Sequence, residues 1–297
     1  MVRIVPDQLD LFIADALDIA VKDDVSIGAE NFFALSKKPR YEPIIHDLPK
    51  GRITVSATAG NPLATVYDED ILLYLISQLV HGADEGKPLG RTVYFSGVSF
   101  FKFIKKNKFG GRNYEEIWEA LQRLKTTYVE LEVDGVEGSD AKFNWLSHIQ
   151  KDWITNKHGE KQAVGFHVEI PTRLVKAIEA RRVLTLDRGY FRITSPVERW
   201  IYRFVRKSVG KGRNEQFKYW SYEKLHRKSA SADTLPQFKK TVRRILKRNN
   251  HRLFQYTVEE ATKGSEKGLY FDVSETYPVG HSDPLIIEAN EATMDNH

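Results

Sequence analysis

SYEKLHRKSASADTLPQFKKTVRRILKRNNHRLFQYTVEEATKGSEKGLYFDV, from Ser221 to Val273, carries the clearest succession of periodicities in the chain. Ser221 stands where its oxygen can take up one of the backbone N–H groups that a helix start leaves unpaired, so it caps a short helix running to Lys228. SASAD then turns the chain. Thr234 with Gln237 three residues on has capping-box spacing and starts a second helix over Leu235 to Asn249. In it Leu235, Phe238, Val242 and Ile245 recur at intervals of three and four, which assigns them to the core side. Leu253 to Glu259 and Leu269 to Val273 read as two strands around the turn KGSEKG.

Working backwards, Ser195 and Pro196 begin a helix that ends near Gly210, with Val197, Ile201, Phe204 and Val205 inward and Arg199, Arg203 and Arg206 outward. Helix, short helix, turn, helix and hairpin is the order of a winged helix. The first half shows the same order without a readable sequence repeat. Ile71, Leu72, Leu75, Ile76, Leu79 and Val80 give a helix from near Asp68 a broad apolar face, with Gly82 placed to stop it. A strand at Thr92 to Phe95 follows, then a helix capped by Ser96 and running through Lys106. Asn113 with Glu116 looks like the box that opens a third helix, Tyr114 to Lys125, after which residues 128–133 alternate as a strand. Further strands are expected near Lys142 to Trp153 and Ala163 to Ile170, and Pro171 opens a linking helix to Ala180. SKKPR with Pro43, Pro49 and Gly51 is expected to break any long element before the first domain. The fold class is therefore α+β, tandem winged-helix (helix-turn-helix) domains. Residues 1–34 form a tail, 35–180 the first domain, 181–273 the second and main DNA-binding domain, and 274–297, with five acids and no Lys or Arg, an acidic disordered tail.

Charge is distributed in a block. The chain of 297 residues has a net charge of only +5, yet Arg181 to Arg252 holds 21 Lys or Arg against 5 Asp or Glu, leaving 24 against 35 elsewhere. Such asymmetry suits a phosphate-binding surface, because each neutralised phosphate releases condensed counterions. In the helix from Leu235, the residues Lys239, Lys240, Arg243, Arg244, Lys247 and Arg248 fall in pairs every four along the face opposite the core, with no acid on that helix to pair them. Arg can bond two guanine acceptors in the major groove at once. Gln237, Lys240, Arg243 and Arg244 are therefore assigned to bases, and Lys239, Lys247 and Arg248 to phosphates. Lys224, Arg227 and Lys228 on the preceding helix suit phosphates, and Lys263 and Lys267 at the wing tip suit the minor groove or backbone. A merely solvated basic face is the plainer alternative.

The third helix of the first domain carries Glu115, Glu116 and Glu119, so it should bind DNA less strongly. Its flank offers Lys105, Lys106, Lys108, Arg112 and Asn113 for backbone contacts, and protein contact is an equal reading. Tyr128, Trp145 and the strands after this helix are candidates for a homodimer surface. Gln8, Leu9, Asp10, Leu11 and Phe12 spell QLDLF, which resembles the short peptide by which bacterial replication and repair proteins bind the sliding clamp of DNA polymerase. Leu9, Phe12, Ile13, Ala16, Leu17 and Ala20 fit an ordinary amphipathic helix as well.

With these segments in place, the chain resembles the replication initiator protein A family of bacterial plasmids from about Leu35 to Val273. The resemblance rests on ATVYDEDILLYLISQL (Ala64 to Leu79), GGRNYEEIWEALQRLKTTYVEL (Gly110 to Leu131), ERWIYRFVRK (Glu198 to Lys207) and LHRKSASADTLPQFKKTVRRI (Leu225 to Ile245). It implies an iteron-type initiator whose two winged-helix domains bind repeated sites in double-stranded origin DNA, open the duplex, engage host replication proteins and repress their own promoter. Two departures stand out: the family-typical Ser-Gly-Ser turn is Ser229-Ala230-Ser231 here, and NNHRLFQY after Arg248 lacks a Pro.

Other classes find little support. Without Cys the chain has no thiolate metal site or Cys nucleophile, which fits a cytoplasmic protein. No run of 18 apolar residues is present, and Asp7, Asp10, Asp15 and Asp18 interrupt what a signal peptide would keep uncharged, so no membrane role is expected. The nine His residues never pair at i,i+2 or i,i+4, and no GxxxxGK[ST] loop occurs, so neither metal nor other cofactor is expected. Asp134, Glu137 and Asp140 lie in a Gly-rich hairpin and read as turn residues rather than a nuclease site. No catalytic residue is assigned. A transcriptional regulator without a replication role is the runner-up, and a DNA-nicking enzyme the third reading.

Overall fold

The computed structural model describes residues 11–14, 21–24, 30–49, 51–106, 110–133, 141–155, 159, 161–180, 182–208 and 218–273. In chain order the strands β1 (Leu11–Ala14) and β2 (Val21–Asp24) precede a hairpin of β3 (Ile44–Leu48) and β4 (Gly51–Ala57). Then come α1 (Glu69–Asp84), β5 (Thr92–Ser96), α2 (Gly97–Phe103), α3 (Gly111–Thr126), β6 (Thr127–Val133), β7 (Lys142–Asn144), β8 (His148–Thr155), β9 (Lys161–Glu169) and α4 (Thr172–Glu179). The second half holds β10 (Val183–Leu186), a 3-10 turn at Arg188–Arg192, α5 (Pro196–Ser208), β11 (Tyr219–Ser221), α6 (Tyr222–Ser229), α7 (Leu235–Arg248), β12 (Arg252–Leu253), β13 (Tyr256–Lys263) and β14 (Glu266–Val273).

The duplicated plan is visible in the sheets. β11, β14 and β13 lie side by side in that order, as do β5, β9 and β8. In both, the first strand ends in a serine that caps the next helix: Ser96 Oγ accepts the Ser99 N–H at 3.0 Å and Ser221 Oγ the Lys224 N–H at 3.4 Å. The hairpins β8–β9 and β13–β14 are the two wings. What distinguishes the first domain is an insertion, β6 and β7 joining β3 and β4 in a second sheet of order β3-β4-β6-β7. Pro43 and Pro49 read as breakers of this region, but they fall outside the strands and leave β3 and β4 intact.

Several boundaries differ from expectation for local reasons. α3 starts three residues early, at Gly111, because Asn113 is not its cap; it sits in the first turn and its Oδ1 accepts the Gly110 N–H at 3.0 Å. α1 runs through Gly82 and closes instead at Gly86 (φ +75°), where the bonds Gly86 N–H to Ala83 O and Lys87 N–H to Gly82 O form a Schellman end. Residues 1–34 do not behave throughout as a tail: Leu11–Ala14 pairs in parallel with β5, and Val21–Asp24 runs antiparallel to β10, covering strand edges that would otherwise lack partners. Over Leu11–Ala14 the amphipathic helix is therefore not formed. Gln8, Leu9 and Asp10 lie outside the described residues, as do Lys108 and the acidic segment 274–297.

The core is continuous. α1 is buried on nearly every side, with Tyr74 edge-on to Phe95, Phe100 and Phe103. α5 buries Val197, Trp200, Ile201, Phe204 and Val205 as its spacing demands, but its arginines are not solvent-facing. Arg199 is 4% exposed and bonds Asp70 Oδ1 at 2.6 Å, Arg203 pairs with Glu69, and Arg206 Nε donates to Thr185 O at 2.9 Å. The arginine face of α5 is thus turned toward α1 of the first domain and toward β10. Burial pushes the Asp70 carboxyl up to about 6, against the pull of Arg199. Removing either partner of such a buried pair costs about 3 to 5 kcal/mol, because a lone charge is left behind.

A second junction ties the segment before β3 to the last turn of α6. The Asn31 N–H donates to Lys228 O at 3.0 Å, Asn31 Nδ2 to Ser229 O at 2.8 Å and Arg40 Nη1 to Ala230 O at 2.7 Å, while Glu30 pairs with Lys228. These bonds satisfy carbonyls that a helix end leaves open. Trp145, a candidate for an exposed dimer surface, is 7% exposed: it stacks on Phe33 with centroids 4.8 Å apart and meets Phe32 and Phe143 edge-on.

Candidate nucleic-acid interface

α7 begins as its sequence dictates, with Gln237 Oε1 accepting the Thr234 N–H at 3.0 Å. Phe238, Val242, Ile245 and Leu246 are buried, and Phe238 rests on Trp200 and His226. His226 Nε2 lies 2.7 Å from Asp233 O, closing the turn from α6. The opposite face is open to solvent, where Gln237, Lys240, Arg243, Arg244 and Lys247 line one shallow groove with Asp233 and Thr241.

The six basic residues of α7 divide into two sets. Lys239 Nζ bonds Glu223 of α6 at 2.8 Å, Arg243 Nε bonds Glu260 of β13 at 2.8 Å, and Arg248 pairs with Glu198 of α5. Lys240, Arg244 and Lys247 have no ion pair among the described residues. The sequence showed no acid on the helix itself; the acids arrive from three other elements. Arg243 sits in a built contact, since Glu260 Oε1 also accepts the Tyr222 hydroxyl at 2.6 Å. Burial pushes the Glu260 carboxyl up, but the Tyr222 hydroxyl and the Arg243 guanidinium outweigh it and hold it below the usual range. Burial and the charge of Glu260 raise Tyr222 in turn, so its hydroxyl keeps its proton.

Around α7, Lys224 and Arg227 of α6 are exposed. Lys228 is not: it is half-buried, paired with Glu30, with its ammonium 5.8 Å from the Trp220 ring centre. Lys263 and Lys267 are exposed at the wing tip, where Lys263 faces Glu266 across the hairpin. Gly268 allows β14 of the wing to lie close on β11, because a Cβ there would lie 2.2 Å from Trp220 O, beside the cap Ser221.

In the first domain the acids of α3 are matched. Glu115 bonds Lys151 at 3.0 Å, Glu116 meets Lys106 at 3.5 Å and Arg112 at 3.7 Å, and Glu119 meets Arg123 at 4.0 Å. Asn113 is spent on the cap and on Glu116 Oε2 at 2.8 Å. Arg112 projects into solvent at 94% exposure, and Lys105 is exposed with a left-handed backbone, φ +57°. Lys105 and Arg248 share a cleft with Arg188 and Arg192. Those two arginines were not singled out, since they lie on a 3-10 turn without helical periodicity; their membership of the basic block was the only signal. Among the described residues no three His, Asp or Glu are gathered as for a metal ion, and no helix is long and apolar enough to cross a membrane.

Comparison with known proteins gives three findings. The family described as replication initiator protein A matches residues 22–258. A protein of Wigglesworthia glossinidia brevipalpis, provisionally named as a replication protein, is 28% identical over 244 residues, covering 81% of this chain and 86% of its own. Two crystal structures of domains 2 and 3 of RctB superpose at TM-scores of 0.59 and 0.54 with 13% identity each, covering 84% and 82% of this chain and 98% and 94% of theirs. At that identity the likeness is one of fold, and it extends over both winged helices together.

Proposed function

Because this chain belongs to the replication initiator protein A family, we propose that it initiates plasmid replication without catalysing a reaction, by binding repeated duplex sites at an origin. α7 docks in the major groove, with Lys240, Arg243 and Arg244 toward base edges and Lys247 toward phosphate. Lys224 and Arg227 of α6 and Lys263 and Lys267 of the wing hold the backbone, and α3 with Lys105, Lys106, Arg112 and Asn113 contacts it less strongly. Binding at adjacent repeats bends and strains the origin, and contact energy offsets the deformation. The same surface, used at the protein's own promoter, represses its synthesis.

Host proteins are recruited from the first half. Gln8 to Phe12 engages the sliding clamp once Leu11 and Phe12 leave the edge of β5, and a homodimer forms through the first domain, whose outer strand β8 presents Trp153 and Ile154 about half exposed. The protein works in the cytoplasm, where the origin lies.

The observation that carries this reading is the open face of α7, on which Lys240, Arg244 and Lys247 have no ion pair among the described residues. A footprint on the DNA flanking the gene, at two salt concentrations, tests it. Several protected direct repeats that weaken steeply with salt support an initiator. A single inverted site means a dimeric regulator, and no specific protection means that α7 is not the reader.

A further inference from the structure

Between the two domains lies an open cleft lined by Lys105 of the first and by Arg188, Arg192, Glu198, Arg248 and Asn249 of the second. Its walls are the ends of two helices. α7 stops in a Schellman motif, in which the Asn250 N–H reaches Lys247 O and the His251 N–H reaches Leu246 O, so Arg248 and Asn249 face the cleft. α2 stops in the same motif, with Lys105 N–H to Lys102 O at 3.0 Å and Lys106 N–H to Phe101 O at 2.8 Å. Lys105 occupies the left-handed position, at φ +57°, that favours glycine, and α1 uses Gly86 in the equivalent place. A cation is kept here against the backbone preference.

Four cations face two carboxylates, and both carboxylates are engaged in the cleft wall. Glu198 accepts from Arg248 and Asn249, and Asp187 Oδ1 accepts the Gly189 N–H at 2.7 Å. The excess is two positive charges, and Lys105 and Arg192 are exposed. The open stripe of α7 runs through Lys240, Arg244 and Lys247 to Arg248 in this cleft, and Lys105 brings the end of α2 to the same cleft. The cleft is open and carries charged side chains on both walls, unlike the enclosed pocket that holds a small ligand.

We propose that this interdomain cleft is a third DNA contact, which grips a phosphodiester of the duplex between the segments met by α7 and α3 and so makes one continuous track of the two domains. The proposal rests on the DNA-binding reading above. Its test is a salt titration of binding to a 30-base-pair duplex of arbitrary sequence, comparing the wild type with the Lys105→Gly, Arg192→Gln double variant. Loss of the one phosphate contact that Lys105 and Arg192 share flattens the slope of log K against log salt by about 0.9. Lys105→Gly alone should melt higher than the wild type, because it relieves the left-handed backbone, whereas a structural lysine would lower the melting temperature on removal. If the wild type binds the duplex and the double variant keeps its slope, the cleft contact falls and the DNA-binding reading stands. If the wild type fails to bind any duplex, both fall. An unchanged slope together with a melting shift by inorganic phosphate that needs Lys105 and Arg192 would also overturn the proposal, in favour of a free anion.

Discussion

Replacing Lys240, Arg244 and Lys247 together by Ala removes the three cations of α7 that have no ion pair among the described residues. All three are exposed, and Phe238, Val242, Ile245 and Leu246 beneath them are untouched, so stability should move by no more than about 0.5 kcal/mol per site. If each cation neutralises one phosphate, the slope of log K against log salt falls by about 0.9 for each, or about 2.7 in all. Between 50 and 200 mM salt the wild type then loses roughly 40-fold more affinity than the variant. Fluorescence anisotropy with a labelled duplex over that range, beside circular dichroism to show that both proteins are folded, reads the difference. A variant that binds as tightly and with the same slope as the wild type would refute the assignment of this face to DNA.

Arg243 differs because Glu260 already holds its Nε; Arg243→Ala should cost about 1 to 3 kcal/mol and relax preference at one base pair, and an equal loss on every sequence would end its base-reading role. Ala230 has φ +47° at the end of α6, so Ala230→Gly should raise the urea-unfolding free energy by about 0.5 kcal/mol, the relief of left-handed strain less the added chain entropy; a loss would mean the methyl group's packing outweighs the strain. Burial lowers the pKa of His46, whose Nε2 lies 2.7 Å from Asn31 O, although that bond and Glu30 oppose it. The folded protein then binds fewer protons at this site than the unfolded chain, so stability present above the ordinary histidine value of 6.5 is lost as pH falls toward the lowered value, and His46→Gln should flatten the dependence of urea midpoint on pH below 6.5. A Leu11→Ala, Phe12→Ala variant should fail to pull down the sliding clamp, and undiminished capture would remove that partner.

Periodicity made α7, its cap and its buried stripe legible, since each depends on residues within one or two turns. The wing was legible too, although β13 and β14 extend nearer the tip than the apolar runs do, because cross-strand pairing carries Thr262 and Lys263 along. β3 and β4 were hidden by the prolines that delimit them. Long-range pairs were beyond reach: nothing near Arg199 announces Asp70, 129 residues away, and nothing on α7 announces Glu198, Glu223 or Glu260. A residue's charge could be read from the sequence, but whether that charge was already matched could not.

Asn31 donates to Ser229 across 198 positions of sequence. During synthesis the segment holding Glu30, Asn31 and Arg40 leaves the ribosome long before α6 exists, and it must wait unpaired until the second domain emerges. α6 and α7 assemble through short-range contacts and are expected to form early, whereas the bonds that secure the turn between them close last. The junction can therefore close only once α6 has emerged, and completion of the fold is a late, whole-chain event.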